Sequence, residues 1–318
     1  ISSAFIVFLF FYIYGNYSIN QNKNFIKNFD KKFNIKVISP NFEIKYDLNN
    51  KQILDRFNNL ARYSQPSSGV KTLFIWPEGV FSGYSYEDIL FLKESFSKYF
   101  SNNHFIIFGV NRYDKKKGGF YNSLLVVNNN LEIISEYKKQ KLVPFGEFIP
   151  FEKNLNLIGL QAITNNFGSF TKGKERNVIE INNNLFQEFK FLPLICYEII
   201  YSGNLTKNTN FDFIINISED GWFGESIGPK QHFAHSIYRA IETGKYILRS
   251  SNNGIAAIIN PIGKIEKYIE FGNSGYIDFE EKRDLNKTIF STHGNKIFMI
   301  LILLYIFLIF SFNRIRNE

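Results

Sequence analysis

Short apolar runs alternate with amphipathic stretches between about residues 34 and 280. The runs are rich in β-branched and aromatic residues, which is typical of buried strands. They lie at 35–39, 72–76, 104–110, 122–127, 189–196, 212–217, 246–251 and 255–260. Helical spacing lies between several of them, at 49–64, 85–100 and 228–244. This alternation predicts an α/β domain with a mixed sheet flanked by helices.

The helix predictions rest on spacing and on end signals. Ile53, Phe57 and Leu60 are spaced so that they share one face of the first helix. The second begins with a serine and an acidic first turn. The third has a proline near its start and a glycine at its end.

Both ends of the chain are more apolar than its middle. Residues 297–312 carry no charge over 16 positions, near the short limit for a membrane-spanning helix; a buried core helix is the alternative. Residues 1–15 are also uncharged. We therefore expect the chain to begin inside a truncated transmembrane helix ending near residue 15. A linker at 16–33, a catalytic domain at 34–285 and a transmembrane helix at 297–312 would follow.

The charges near the last apolar segment predict how the chain is oriented in the membrane. The chain has 318 residues, 45% of them hydrophobic, and a formal net charge of +8, which indicates a folded domain. The basic residues are scattered and form no basic helix with interleaved aromatics, so we do not expect a nucleic-acid partner. Arg314 and Arg316 follow the last apolar segment. The positive-inside rule places them in the cytoplasm and the catalytic domain on the periplasmic side.

Residues with complementary chemistry follow three strands. Glu78 comes after the run at 72–76, and a lysine cluster with Glu147 follows a further strand. Cys196, the only cysteine, ends the run at 189–196. A thiolate can attack a carbonyl, a carboxylate can take the thiol proton, and a cation can stabilise the negative charge that develops. A lone cysteine is more often structural, so the combination carries the hypothesis.

The motifs WPEGVF, YKKQKLVPFGEFIP and LPLICYEII, which contain Glu78, Lys139 and Cys196, resemble the Glu–Lys–Cys triad motifs of the nitrilase, or carbon–nitrogen hydrolase, superfamily. Within it, these motifs and the segment at 220–264 are similar to the apolipoprotein N-acyltransferase family. The similarity runs from about residue 34 through the terminal apolar segment. It implies a nitrilase-like α-β-β-α sandwich flanked by transmembrane helices.

The resemblance also implies roles for the triad. Glu78 would be the general base, Lys139 the oxyanion-stabilising cation and Cys196 the nucleophile. The family's lysine lies eight positions before the glutamate of PFGE, which selects Lys139 over the neighbouring lysines. The family commonly has serine or threonine where Gly79 stands, and its ND before WFG is EDG here.

Further residues would bind the substrate. By the resemblance, Glu147, Tyr197 and Glu198 surround the nucleophile, and Tyr46 stands where the family usually has a tryptophan that contacts lipid. Trp222 is either a pocket wall or a core residue. No cofactor or metal is implied. The HxxH pair of His232 and His235 lacks a third ligand, so we interpret His232 and His235 as packing residues or hydrogen-bonding residues behind the site.

The implied reaction is a two-step acyl transfer. The Cys196 thiolate would attack an ester of a phospholipid, chiefly phosphatidylethanolamine, while Lys139 and the Tyr197 backbone N–H hold the oxyanion. The α-amine of an N-terminal diacylglyceryl-cysteine on an apolipoprotein would then take the acyl chain from the thioester. Phospholipid, diacylated apolipoprotein and the lipid bilayer are the expected partners, and the bacterial inner membrane is the expected location.

An apolar stretch at 148–167 lies beside the lysine cluster. It predicts either an arm that enters the bilayer and admits acyl chains, or a buried loop. Two other function classes remain open. A nitrilase- or amidase-type hydrolase of a small amide would use the same triad, and a membrane-binding module would need no triad at all.

Overall fold

The computed structural model describes residues 2–22, 33–151, 168–181, 189–203, 205–206, 208, 210–279 and 288–317. The strands in these ranges form two six-stranded sheets. The first contains β1 (Asn34–Ser39), β2 (Thr72–Ile75), β3 (His104–Asp114), β4 (Gly119–Val127), β5 (Ile133–Lys138) and β12 (Gly275–Phe279). The second contains β6 (Ile179–Ile181), β7 (Phe189–Ile195), β8 (Phe213–Glu219), β9 (Tyr246–Asn252), β10 (Ala256–Ile259) and β11 (Ile265–Ile269).

Each sheet has a parallel centre and antiparallel flanks. The first has the order β12-β1-β2-β3-β4-β5, with β1, β2 and β3 parallel. The second has the order β11-β10-β9-β8-β7-β6, with β7, β8 and β9 parallel. The strand pattern predicted one mixed sheet, whereas the structure has two. Periodicity identifies strands but does not show which strands pair, and this explains the difference.

The helices of the described ranges are α1 (Ser2–Asn22), α2 (Asn50–Ser64), α3 (Lys93–Tyr99), α4 (Gly228–Thr243), α5 (Ile289–His293) and α6 (Lys296–Asn317). Turns of 3₁₀ helix lie at Asp88–Leu92, Cys196–Ile200 and Gly221–Phe223. The inner faces of the two sheets share one apolar core. Helices α2 and α3 cover the outer face of the first sheet, and α4 covers the second. This layering is the α-β-β-α sandwich that the resemblance implies.

Two helix boundaries differ from the sequence predictions. The helix expected at 85–100 begins as a 3₁₀ turn, because the carboxylate of Asp88 accepts hydrogen bonds from the backbone N–H and the hydroxyl of Ser85. Helix α1 continues to Asn22, so the first part of the expected linker is helical. Residues 23–32 lie outside the described residues, as do residues 152–167 of the apolar stretch expected to form an arm.

Among the described residues, no helix combines the length and the apolar character that crossing a membrane requires. The segments predicted to be transmembrane, 1–15 and 297–312, fall in α1 and α6. Their membrane-spanning character is not confirmed. The uncharged run of α6 has 16 residues, whereas a span needs about 20.

Helix α2 shows how sequence fixes one of these layers. Asn49 and Gln52 form a reciprocal capping box, in which each side chain accepts a hydrogen bond from the backbone N–H of the other. Ile53, Phe57 and Leu60 are fully buried as predicted. The ring of Phe57 packs against aromatic side chains that follow β2 or lie on α3 and at its end, chiefly Trp76, Phe96 and Phe100.

We expect Phe57→Ala to lower the free energy of unfolding by about 3–5 kcal/mol, because it leaves a cavity in a rigid aromatic cluster. The matched control is Phe91→Ala, since Phe91 is largely exposed, and it should change stability by about 0.5 kcal/mol or less. Urea denaturation of both variants measures the difference. Equal losses would contradict the packing described for α2.

Candidate active site

The ends of β2, β5 and β7 bring Glu78, Lys139 and Cys196 together. Lys139 Nζ lies 3.6 Å from Glu78 Oε1, and both charged groups act electrostatically on the Cys196 thiol. The loop of Glu78 packs closely on β3, where a Cβ at Gly109 would lie 2.8 Å from the Cα of Glu78. A glycine is therefore needed at position 109 for Glu78 to occupy its place in this structure.

Both carboxylate oxygens of Glu78 are held. Oε1 accepts a hydrogen bond from Asn122 Nδ2 at 2.7 Å and faces Lys139. Oε2 accepts one from the backbone N–H of Glu219 at 3.1 Å. The side chain is only 13% exposed. A carboxylate fixed in this way keeps one orientation, which is what proton transfer from a neighbouring group requires.

Lys139 is a buried cation between two carboxylates. Its side chain is 1% exposed, and Nζ lies 2.8 Å from Glu147 Oε1. Burial alone would lower the pKa of Lys139, but Glu147 first, then Glu78 and Cys196, raise that pKa well above its usual value. Glu147 is itself fixed by Asn122 Nδ2 and by the backbone N–H of Val143. Glu147, predicted to bind substrate, is therefore placed to hold Lys139.

Cys196 stands at a sharp turn after β7. Its φ of 46° lies in the left-handed region, which is unfavourable for a residue with a side chain. The residue is partly exposed. Burial of the sulfur, and then the negative charge of Glu78, raise the thiol pKa well above its usual value, although Lys139 opposes them. The thiol therefore keeps its proton at neutral pH.

Glu198 does not line the site, contrary to the substrate-binding role predicted for it, because its side chain is fully buried. Its Oε1 accepts hydrogen bonds from the hydroxyl of Tyr137 and the backbone N–H groups of residues 140 and 141. The guanidinium of Arg176 pairs with the same oxygen at 2.8 Å. Oε2 accepts from the backbone N–H of Ile195. Glu198 therefore ties the strand end of Lys139 to the strand end of Cys196.

Two of the predicted aromatic residues, the half-buried Tyr46 and the exposed Trp222, form a pair. The rings of Tyr46 and Trp222 lie 5.9 Å apart, and Trp222 is 54% exposed, which excludes the core alternative for it. The ring of Tyr197, next to the nucleophile, is partly exposed and packs edge-on against Tyr201 at 5.6 Å.

Glu219 is a buried residue of the site that the sequence predictions missed. Its carboxyl accepts hydrogen bonds from Asn252 Nδ2, Asn253 Nδ2 and the backbone N–H of Gly221. Burial raises the pKa of Glu219 to about 8, and Glu78 adds to the rise, although the three donors oppose it. Its only sequence signal is an acidic residue directly after an apolar strand.

The second missed feature is a buried charge cluster behind Cys196. His232, Asp220 and Arg249 meet there, so His232 makes a hydrogen bond behind the site, one of the two alternatives from the sequence. Its HxxH partner His235 is half-buried and interacts electrostatically with His232, but no hydrogen bond between His235 and the cluster is recorded in the described residues. Within the described ranges, no group of three or more His, Cys, Asp or Glu side chains is arranged to hold a metal ion.

A family model for carbon–nitrogen hydrolases matches residues 57–278. A protein named apolipoprotein N-acyltransferase from Wigglesworthia glossinidia brevipalpis is 33% identical over 300 residues, 91% of this chain and 56% of that protein. One of the same name from Bradyrhizobium diazoefficiens is 30% identical, over 86% of this chain and 52% of that protein. The chain thus spans about half the length of these curated relatives.

Solved structures share the fold at low sequence identity. An amidase from Nesterenkonia sp. AN1, with acrylamide added to its active-site cysteine, has a TM-score of 0.55 at 14% identity, covering 85% of this chain and 99% of that one. A glutamine-dependent NAD+ synthetase from Acinetobacter baumannii has a TM-score of 0.54 at 18% identity, covering 80% and 48%. These similarities establish the nitrilase-like α/β fold.

The raised pKa of Glu219 gives a prediction with a definite sign. The folded chain keeps this proton to about pH 8, whereas an unfolded chain releases it near the ordinary value of 4.5. The stability contribution is therefore complete below the lower value and is lost as the pH rises through the upper one. Since Glu219→Gln cannot titrate, we expect the wild-type melting temperature to fall relative to this variant between about pH 5 and 8.

Thermal unfolding of both proteins across that pH range measures the effect. Glu225→Gln is the matched control, because Glu225 is exposed on the neighbouring turn, and its melting curve should follow that of the wild type. Parallel curves for the wild type and Glu219→Gln would contradict the raised pKa.

Proposed function

This chain belongs to the carbon–nitrogen hydrolase family, and from that premise we propose that it is an N-acyltransferase. It moves a fatty acyl chain from a phospholipid, chiefly phosphatidylethanolamine, to the α-amine of the N-terminal diacylglyceryl-cysteine of an apolipoprotein. The observation that carries the proposal is the arrangement of Glu78, Lys139 and the protonated thiol of Cys196. Relatives named apolipoprotein N-acyltransferase support the choice of reaction.

The first step loads the enzyme. Glu78 takes the proton of the Cys196 thiol as the sulfur attacks the ester carbonyl carbon of the phospholipid. The carbonyl oxygen becomes an oxyanion, which Lys139 Nζ and the backbone N–H of Tyr197 stabilise. Tyr197 is the second residue of the 3₁₀ turn Cys196–Ile200, and the first backbone donors of such a turn have no acceptor within it. The ester C–O bond then breaks, and Glu78 gives its proton to the departing lysophospholipid oxygen.

The second step transfers the acyl chain from Cys196 to the acceptor. The α-amine of the acceptor attacks the thioester carbonyl and gives a proton to Glu78. The oxyanion forms again at the same donors. Collapse breaks the C–S bond, and the sulfur recovers its proton from Glu78. The product carries an amide-linked acyl chain, and the thiol returns to its starting state.

Glu147 explains how Lys139 can serve both steps. Glu78 changes charge each time it takes or gives a proton. Lys139 keeps Glu147 as a partner at 2.8 Å throughout, so its positive charge does not depend on the state of the base. Because the cation is buried, it acts on the oxyanion with little screening by water.

We further propose that the catalytic domain works at the periplasmic face of the bacterial inner membrane. Exposed apolar side chains favour a lipid environment. They include Phe145, Phe151 and Trp222 beside the loops of the site. Helices α1 and α6 also expose apolar side chains, among them Phe8 and Phe310.

A second candidate is hydrolysis of a small amide by the same triad. The similarity to an amidase structure favours it. The two functions differ in the group that removes the acyl chain from Cys196, which is water in one and an amine in the other. Release of ammonia and a carboxylic acid from a small amide, with no acylated peptide when phosphatidylethanolamine and a diacylated lipopeptide are present, would select the hydrolase.

Cys196 is the only thiol of the chain, so an acyl adduct can be assigned to it by mass. We expect intact-mass analysis after incubation with phosphatidylethanolamine to show one added acyl chain. Cys196→Ala should lose the adduct and all transfer, because no nucleophile remains. Cys196→Ser should lose nearly all transfer, since a hydroxyl is far harder to deprotonate. Transfer at the wild-type rate by Cys196→Ala would refute the mechanism.

The base and the cation can be separated from the nucleophile. Glu78→Gln keeps the shape and a hydrogen-bond acceptor but cannot take a proton, so adduct formation should be very slow. Lys139→Ala removes an oxyanion donor, which typically costs about 10²–10³ in rate. Timed intact-mass measurements give both rates, with Lys138→Ala as the neighbouring control. A near-native rate in either variant would exclude the role given to that residue.

A further inference from the structure

The peptide group that follows the nucleophile is held from behind by a histidine. His232 Nε2 lies 3.1 Å from the carbonyl oxygen of Cys196. A carbonyl oxygen can only accept, so the imidazole N–H donates this hydrogen bond. His232 lies on α4 and is 4% exposed. It touches the backbone of the nucleophile and not its sulfur in any contact that the structure records.

The other side of the imidazole is fixed as firmly. Nδ1 lies 2.8 Å from Asp220 Oδ1. Asp220 is fully buried and is also bound by Arg249 Nη2 at 2.7 Å and by the hydroxyls of Ser218 and Ser251. Burial alone would raise the pKa of Asp220, but Arg249, His232 and Ser218 lower it well below its usual range. The carboxylate of Asp220 is therefore ionised and held in place, and it fixes the orientation of the imidazole ring.

Peptide geometry transmits this constraint to the catalytic face. The carbonyl of Cys196 and the N–H of Tyr197 belong to one rigid plane and point in opposite directions when the bond is trans. No cis peptide bond occurs in the described residues. Holding the oxygen thus sets the direction of the N–H. The constraint is needed here, because the left-handed φ of Cys196 is not a conformation that the residue prefers.

We propose that His232 is a positioning residue that aims the Tyr197 N–H at the oxyanion by holding the carbonyl of Cys196. The inference rests on the proposed function only in requiring an oxyanion at this cysteine. Donation to the carbonyl also polarises the peptide group, which strengthens its N–H as a donor. His232 thereby acts on carbonyl addition and leaves the ionisation of the thiol to Glu78 and Lys139.

Two reactions of the single thiol separate these effects. Acylation by a p-nitrophenyl ester forms an oxyanion, whereas alkylation by iodoacetamide displaces iodide at a saturated carbon and forms none. We expect His232→Leu to slow acylation by about 10–10², the cost of a misaligned group. Its alkylation rate should stay within about threefold of the wild type, since the thiol and its base are untouched.

Two variants complete the design. His232→Gln can still donate an N–H towards the Cys196 carbonyl, so it should recover most of the acylation rate even if His232→Leu folds poorly. His235→Leu is the matched control on the same helix and should match the wild type in both reactions. Melting temperatures recorded alongside report the fold of each variant.

Three results would overturn the inference. These are an equal loss of acylation and alkylation in a folded His232 variant, no loss in His232→Leu, and no recovery in a folded His232→Gln. If the wild type reacts with the p-nitrophenyl ester but not with phosphatidylethanolamine, the proposed acyl donor is refuted. The acylation and alkylation rates of the His232 variants would still test the role of His232. Wild type that is alkylated but never acylated would refute both.

Discussion

A single buried carboxylate holds the two halves of the site in register. Glu198 follows β7 of the second sheet, yet it accepts hydrogen bonds from the backbone that follows β5 of the first sheet. A buried charge is tolerated only with a full set of partners, and Arg176 and Tyr137 complete that set. The positions of Lys139 and Cys196 relative to each other therefore depend on one fully buried ion pair.

The site itself is organised by alternation of charge. Lys139 separates Glu78 from Glu147, and Asn122 donates to both carboxylates from one amide. Without the lysine, two buried carboxylates would face each other, and one would have to take a proton. With the lysine in place, Glu78 can gain or lose a proton while the charges of Lys139 and Glu147 stay unchanged. Burial strengthens this effect, because few water molecules can enter the site and replace a charged partner.

Much of the fold follows from local pattern, and the omissions share a cause. The eight runs predicted as strands form the interior strands of both sheets. The four strands at the sheet edges are the ones that the runs do not include: β5, β6, β11 and β12. Edge strands are covered on fewer sides, so they lack continuous apolar runs. β5 was recognised only by the lysine cluster at its end.

The chemistry of the site could also be predicted from the sequence only in part. Glu78, Lys139 and Cys196 could be chosen because motifs carry them, whereas the role of Glu198 could not, since a motif does not distinguish a wall of the pocket from a support behind it. Glu219 and the contact of His232 with Cys196 depend on pairs of residues that are 141 and 36 positions apart in the chain. No local periodicity reports such pairs.

The protonated state of Cys196 has a consequence for the chemical lifetime of the protein. Peroxides and disulfides react with thiolates and hardly at all with thiols. In the proposed mechanism the proton of Cys196 leaves only during attack on a carbonyl, so the thiol would be insulated from oxidants between turnovers. These 318 residues hold no second cysteine that could restore it from a sulfenic acid. Keeping the thiol unreactive at rest is the form of protection against oxidation that this architecture offers.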